Sequence, residues 1–522
     1  MDNRLHRNAV DRLSSEVGLF YTQKIPFKIF HGYTHSTRKS PCERSRIVDT
    51  SSLCHVLEIN TEHKTALVEP NVSIGQLVRE TLKLGLIPLV VPEFPDITIG
   101  GGFAGTAGES SSFKYGFLHD TVNWIEIVIP NGQVLIASDT THRDLFHGVK
   151  GTFGTLGVTT LLEIRLTEST SLVQLTYHKV HSIEELVLNL RGCISESSND
   201  FVDAIQYGRE DGVIVTAQLT NDVQQDTPIR RFLRPQDEWY YLHVQDILKT
   251  DSVTYTEAVP VTDYFFRYDR GAFWTGRYVF TYFAVPFLRT LRTSLDSVMH
   301  TKILYHGLHE NGMAKDNIIQ DVAIPIAKAV DFLQWLDLRY GIYPLWICPI
   351  RKSRYAAFYP MVNSAVTSSK QVQLPCALSV HHTAKEIEVE HPHEEMLLSI
   401  GVWGPRLPFP KLFVAENRVL EKEVKDMGGM KWLYAHNHYS KDEFWSIYDK
   451  ELYDDIRRKY HAEYLPSVFE KTRYDWDADR RAIQASWLRW LFSFRVPACE
   501  MKLYRDYYDG VIVKWQSRQP GA

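Results

Sequence analysis

The six cysteines of this 522-residue chain (Cys42, Cys54, Cys193, Cys348, Cys376, Cys499) include no CxxC pair. That removes the common redox and zinc patterns and fits a reducing compartment better than a disulfide framework. Long apolar runs are missing as well: the longest uncharged one, Tyr278 to Leu288, falls well short of the ~20 residues a spanning helix needs. Met1 to Phe20 is polar and charged, so neither a signal peptide nor a transmembrane helix is expected there. A surplus of one charge is absent too. With 58 Lys+Arg against 63 Asp+Glu the formal net charge is −5, which leaves no global footprint for nucleic acid. The sequence shows no Gly-x-Ser-x-Gly elbow, no plausible Ser/His/Asp hydrolase set, no internal repeat and no low-complexity tract. His381, His382, His391 and His393 match no zinc spacing and read as a solvated loop. What remains is ordinary globular composition, 44% hydrophobic and 23% charged, with length enough for two or three domains. The 12% aromatic share is high and points to apolar pockets or interfaces.

The most informative stretch runs from Pro92 to Gly116, with glycines at 100, 101, 102, 105, 108 and 116 and the run Ser110-Ser111-Ser112. Glycine lets backbone amides approach a ligand, and successive amides in such a loop form an anion-binding concavity. A diphosphate-bearing cofactor is the expected guest. Gly100-x-Gly102-x-x-Gly105 is not a Rossmann fingerprint, because Pro92 and Pro95 interrupt the approach and Thr106 to Ser112 opens no helix. Two further small-residue turns flank it, His31 to Arg38 after the strand Lys28–Phe30, and Gly151 to Gly157 before the strand Val158 to Leu166.

Pattern places other elements around these loops. Ser73 caps a helix with apolar face Ile74, Leu77, Val78 and Leu82, ending at Gly85. Pro130-Asn131-Gly132 marks a hairpin between Val122–Ile129 and Gln133–Ala137. Composition changes near Thr167 to Ser171. Beyond it come strands at 172–180, 201–207, 212–219, 318–324, 342–350 and 397–403, with helices at 182–191, 327–340 and 415–427 and one aromatic helix over 443–460. The pattern therefore predicts an α+β chain with a domain boundary near residue 168.

These turns resemble the FAD-binding half of the vanillyl-alcohol-oxidase/PCMH flavoprotein superfamily. The likeness sharpens to the delta-24-sterol reductases on five strings: Gly108 to Gly116; Tyr264-x-x-Arg267-x-x-Arg270-x-x-Phe273-Trp274; Gln320-Asp321-x-x-Ile324-Pro325; Tyr343-Pro344-x-Trp346-x-Cys348-Pro349; and Tyr434-Ala435-x-x-x-Tyr439-x-x-x-Glu443-Phe444-Trp445. Together they cover roughly residues 25 to 473. Unlike the family, the sequence starts without an apolar membrane segment, has a longer loop at 351–395 and extends past residue 475. The resemblance implies a two-lobed PCMH-type FAD-binding domain (1–168) plus an α+β substrate (cap) domain (169–410), with FAD between them, then a C-terminal segment returning to the flavin site (411–474) and an extra tail (475–522).

On that reading the cofactor would be held by His31, Gly32, Thr34, His35, Ser36 and Thr37; by Thr98, Ile99, Gly100, Gly101, Gly105, Thr106, Gly108, Ser110, Ser111, Lys114, Tyr115 and Gly116; and by Gly154, Thr155, Gly157 and Val158. FAD is expected without a covalent bond, attachment at His35 being the minor alternative. The implied reaction saturates the delta-24 double bond of a sterol, with NADPH as electron source. An isolated alkene is no electrophile, so a proton donor in a dry pocket must act first and electron-rich rings must face the resulting cation. Glu109, Tyr434, His436 and Tyr439 are the donor candidates, and Tyr264, Phe273 and Trp274 the candidate wall. Arg267 and Arg270 are read as substrate-side residues, with FAD or NADPH phosphate as their other role and a structural ion-pair face as the plain alternative; for Lys114 and Glu109 the plain alternative is a pair that orders the loop. The rivals are a flavin oxidoreductase of the same superfamily acting on another prenylated or alcohol metabolite, and a catalytically silent sterol-binding scaffold. A sterol substrate favours peripheral membrane contact, at the cytosolic face of the endoplasmic reticulum or from the cytoplasm. Tyr278–Leu288 and Trp487–Arg495 are the interfacial candidates; an oligomer is open.

Overall fold

The computed structural model describes residues 3–31, 44–311, 317–352, 396–405 and 410–474. The expectations placed on residues 32–37, on the histidine-rich loop and on the tail beyond 474 lie outside the described residues.

Two antiparallel sheets organise the chain, and it is α+β. The first has strands in the order Val56–Asn60, Thr65–Val68, Val158–Glu168, Val122–Val128, Val134–Ser138, with Leu86–Pro88 paired to the far end of Val158–Glu168. Asn131 and Gly132 turn the hairpin as expected. Gly132 has φ +91°, and a Cβ there would lie 2.8 Å from the Ser14 carbonyl, so the turn must be glycine where the N-terminal helix crosses it. That helix, Asn3–Gln23, seats Val10, Leu13 and Val17 on Val48, Val128 and Val158, at the spacing of one helical face. Its His6 bridges two carboxylates, Nδ1 to Glu69 at 2.8 Å and Nε2 to Glu126 at 3.1 Å. Burial opposes the charge on His6, but the hydrogen bonds and charges of Glu126 and Glu69 outweigh it and lift it to about 9.

Between Glu168 and Leu172 the chain passes to a second sheet of eight strands. Their order is Thr254–Pro260, Leu172–Val180, Gly212–Thr220, Phe201–Gln206, Leu345–Arg351, Met396–Pro405, Asn317–Pro325, Met430–Lys431. Successive residues point to opposite faces, and both faces are covered. Val202, Ala204 and Ile214 join a core under the helices Ile183–Ser195 and Ala329–Arg339, while Phe201, Ile205, Val213 and Val215 join a core continuous with the first lobe. This explains why all of Phe201–Gln206 is buried.

Two expected elements differ. The stretch after Pro95 is not a bare loop: Thr98 caps a short helix, Ile99–Gly105, its hydroxyl accepting from the Gly101 amide. The three glycines permit close packing, since a Cβ on Gly100 would lie 2.7 Å from the Pro70 Cβ and one on Gly102 2.5 Å from Leu118. The aromatic helix over 443–460 is two, Lys441–Ile447 and Lys450–Lys459, because Asp449 caps the second by accepting from the Leu452 amide. Of the apolar run Tyr278–Leu288, Phe280 is buried against Trp239 and Phe287, whereas Phe283 and Leu288 are exposed. Among the described residues no helix is long and apolar enough to cross a membrane.

Candidate active site

A cavity of about 510 Å³ lies where the two sheets meet. One wall comes from the first lobe and the last helix: His31, Pro70, Asn71, Thr98, Gly100, Gly101, Gly105, Gly108, Gly154, Gly157, Val158 and Lys471. The other is made by Glu93, Phe94, Tyr305, Asp321, Trp346, Trp403, Trp432 and Tyr434.

The first wall is mostly backbone. The amides at the start of the short helix do not form the anion nest that sequence suggests. Ile99 donates to Val72 O, Gly100 to Pro70 O, Gly101 to the Thr98 hydroxyl and Gly102 to Thr98 O. Those bonds hold the neighbouring segment against the helix. The amides of Gly108 and Gly154, by contrast, donate to nothing among the described residues. His31 Nδ1 is buried and unpaired among the described residues, and burial together with the nearby Lys471 cation holds its imidazole below its usual range. Lys471 donates to the Phe153 carbonyl beside Gly154. Gly154 has φ +74°, and a Cβ there would stand 2.5 Å from Ile29 Cδ1. Free amides, an orphaned imidazole nitrogen and a cation on one wall, with aromatic rings on the other, fit a cofactor with a charged diphosphate end and a planar end.

The second wall is made of side chains. Asp321, on the strand Asn317–Pro325, accepts from Trp403 Nε1 at 2.7 Å and from the Tyr434 hydroxyl at 3.0 Å. Burial raises its carboxyl to about 6, against the pull of those two hydrogen bonds. Glu93 is pushed further, to about 8, by burial and by the charges of Glu109 and Asp321. Trp432 Nε1 donates to the Thr106 carbonyl, which orients that ring over the cavity. Phe273 and Trp274 sit one layer behind. Phe273 backs three lining rings, with centroids 5.5 Å from Phe94, 5.2 Å from Trp346 and 6.0 Å from Trp403, and Trp274 Nε1 donates to Trp403 O at 3.0 Å.

Several anticipated residues do not border the cavity. Of the donor candidates only Tyr434 does. Tyr439 reaches toward Glu421 O, and His436 meets Tyr474 edge-on at 4.8 Å. The string Gly108–Gly116 works as an inter-lobe joint instead. Ser110 O accepts from the Val202 amide and its hydroxyl meets Tyr264 OH at 3.1 Å; Ser111 donates to Leu89 O; Lys114 pairs with Asp200 at 3.1 Å and not with Glu109. Tyr115 and Gly116 line a separate polar pocket beside Lys150 and Arg165. Ile99 packs in the core, and the Thr155 hydroxyl meets Tyr453 OH at 2.8 Å.

Glu109 faces Arg267 at 3.7 Å in a fully buried network. Arg267 Nη2 donates to Asp203 at 2.8 Å, and the same carboxylate accepts from Tyr268 OH at 2.9 Å and Trp346 Nε1 at 3.0 Å. Burial lifts Glu109 to about 7 despite the neighbouring guanidinium. Arg270 is spent on Asp296 at 2.7 Å and on the carbonyls of Phe232, Pro235 and Asp237, so it is committed to structure. The cavity-lining residues that motif reading passed over include Glu93, Asp321, Trp346, Trp403 and Lys471. Asp321 and Trp346 stood inside quoted strings, and an acid in an otherwise apolar alternating strand was the available signal.

Comparison with known proteins places this geometry. The profile of the FAD binding domain family matches residues 8–138. The Delta(24)-sterol reductase of Homo sapiens is 27% identical over 438 residues, covering 80% of this chain and 76% of that protein. The Delta(24)-sterol reductase of Arabidopsis thaliana is 27% identical over 447 residues, covering 80% and 74%. The chain is similar to the delta(24)-sterol reductases over most of its length. A probable L-gulonolactone oxidase of Arabidopsis thaliana is 33% identical, but over 137 residues and 24% of each chain. The similarity to the sterol reductases therefore covers four-fifths of the chain, whereas the likeness to the oxidase spans about a quarter of it.

Proposed function

We propose that the protein is an FAD-dependent reductase that saturates the delta-24(25) side-chain double bond of a sterol, with NADPH as the electron donor. The observation that carries this reading is the two-sided cavity: a glycine-lined wall from the lobe matched as an FAD binding domain faces an aromatic wall holding raised carboxyls. When bound, FAD supplies hydride. The residues of this chain would do the rest. Gly108, Gly154, His31 and Lys471 would take the diphosphate. Phe94, Tyr305, Trp346 and Trp403 would exclude water and face the positive charge that forms at carbon 25 when carbon 24 is protonated. Noncovalent retention of FAD accords with a wall of amides and a cation. Peripheral docking to a bilayer accords with exposed Phe283 and Leu288, apolar side chains of the kind that bury at the boundary between headgroups and acyl chains.

Absorbance and anaerobic titration test the reading. The purified protein is expected to be yellow, to lose its colour on acid precipitation into the supernatant, to bleach with NADPH and to recover colour with desmosterol. Peroxide formed on an alcohol substrate would instead establish the oxidase reading. A colourless protein that still binds sterol would make it a scaffold.

A further inference from the structure

Two prolines bracket Glu93 and Phe94, and hydrogen bonds pin the segment. The Gly75 amide donates to Pro95 O at 2.9 Å and the Ile97 amide to Phe94 O at 3.1 Å. A Cβ on Gly75 would lie 2.9 Å from the Pro95 Cβ, so helix and segment are in direct contact. Phe94 is buried edge-on against Phe273 and, at 6.4 Å, Tyr305. Glu93 is thus held at a defined place on the aromatic wall, bordering the cavity.

Two acidic side chains, Glu93 and Asp321, border the cavity, with Glu109 in the network behind them, and the three differ in their partners. Glu109 has Arg267 and Ser110. Asp321 has Trp403 and Tyr434. Glu93 has no ion-pair partner among the described residues, and the hydrogen bond it keeps is to its own backbone amide. Around it stand Glu109 and Asp321, which favour its protonated form, and Arg267, which opposes it. Tyr434 and Cys348 are also near, and the ionisation of each is disfavoured by the Glu93 charge. Glu93 is half-buried at the cavity edge, and a carboxyl shielded from water, with acidic neighbours and no ion pair, is shifted toward its protonated form. Tyr434 is the weaker candidate for the donor. Its hydroxyl already donates to Asp321, and burial and that carboxylate push its acidity well beyond the ordinary phenol range.

We propose that Glu93 is the catalytic acid that protonates carbon 24 of the sterol side chain, with the hydrogen-bonded Asp321–Tyr434 pair beside it. The inference rests on the sterol-reductase reading. The Glu93 O–H bond breaks as the alkene π pair forms the carbon 24–hydrogen bond, leaving a tertiary cation at carbon 25. Hydride from the reduced cofactor, itself reduced by NADPH, completes the saturation. Glu93 is left as a carboxylate, to be reprotonated from solvent before the next turnover.

The test uses the flavin-loaded wild-type protein with Glu93→Gln and Glu93→Asp. Flavin content and melting temperature establish that each variant folds. Glu93→Gln is expected to bleach with NADPH within about twofold of wild type. Its anaerobic recolouring by desmosterol should slow by about 10²–10⁴-fold, the usual worth of a positioned acid. Glu93→Asp, which keeps an acid at reduced reach, should recover part of that loss. Infrared difference spectra with labelled glutamate give a readout independent of turnover: a protonated carboxyl band should titrate near pH 8 and be missing from Glu93→Gln. Recolouring of Glu93→Gln within about tenfold of wild type, or no such band, overturns the assignment while the sterol reading stands. A wild-type flavoprotein that bleaches and is never recoloured by a sterol overturns both.

Discussion

The two walls of the cavity are built from different materials. The wall from the six-stranded lobe is mostly backbone: glycine contacts and, among the described residues, unpaired amides and an orphaned imidazole nitrogen. The wall against the eight-stranded lobe is side chain: aromatic rings backed by a second aromatic layer, with carboxyls set among them. A backbone wall recognises a group common to many reactions, because every residue carries the same donor and acceptor. A side-chain wall can be specific, since ring shape and acidity vary with the residue. The FAD binding domain profile, at residues 8–138, covers most glycines of the backbone wall but, of the side-chain wall, only Glu93 and Phe94.

The joint between the walls should be the most fragile point. Arg267→Ala would leave Asp203 and Glu109 buried without their cation, a loss of about 3–5 kcal/mol. Urea denaturation reads it, and a loss under about 1 kcal/mol would show that the network does not tie the lobes together. Next comes Gly154→Ala. The residue would be strained at φ +74° and would meet Ile29, costing about 1–3 kcal/mol. Flavin should also be lost on gel filtration, and full retention of flavin would refute the idea of an intolerant backbone wall. Tyr434→Phe is expected to be milder for stability, about 0.5–1.5 kcal/mol for one hydrogen bond. Asp321 loses a donor in that variant, so its carboxyl should titrate above about 6.

A pH-dependent effect concerns the helix that buttresses the backbone wall. His6 is lifted to about 9 in the folded protein, above its unfolded value near 6.5. Its stabilisation is therefore complete below about pH 6.5 and is lost as pH rises through about 9. Glu69 and Glu126 are held below their ordinary values, against burial, by hydrogen bonds to His6 and their other partners, and act in the opposite window, losing their contribution as pH falls. Melting temperature should decline between pH 6.5 and 9, and His6→Gln should flatten that decline. An unchanged slope would mean the bridge contributes nothing measurable.

Much of the fold was legible because it rests on local chemistry. Ser73 capping Ile74–Leu82, the Asn131-Gly132 turn and the period-two strand Leu172–Val180 are specified within a few residues of themselves. The strand Thr254–Pro260 and the helix Tyr240–Leu248 carried weaker signals: the strand mixes Glu257 and Pro260 into its pattern, and the helix begins with paired tyrosines. In the site, the glycines announced a close approach, but not whose. Gly100 turned out to meet Pro70, and Ser110 to meet Tyr264.

Local sequence by itself determined where the chain turns, which faces are apolar and where backbone must come close to something, since each depends on φ, periodicity or the absence of a Cβ. Tertiary structure alone decided that Glu93, Asp321 and Tyr434, each far from the others along the chain, border one cavity, and that Arg267 serves the joint beneath it. The physical reason is burial. A carboxyl acquires a shifted acidity, and a guanidinium an obligatory partner, only when folding removes the water around it.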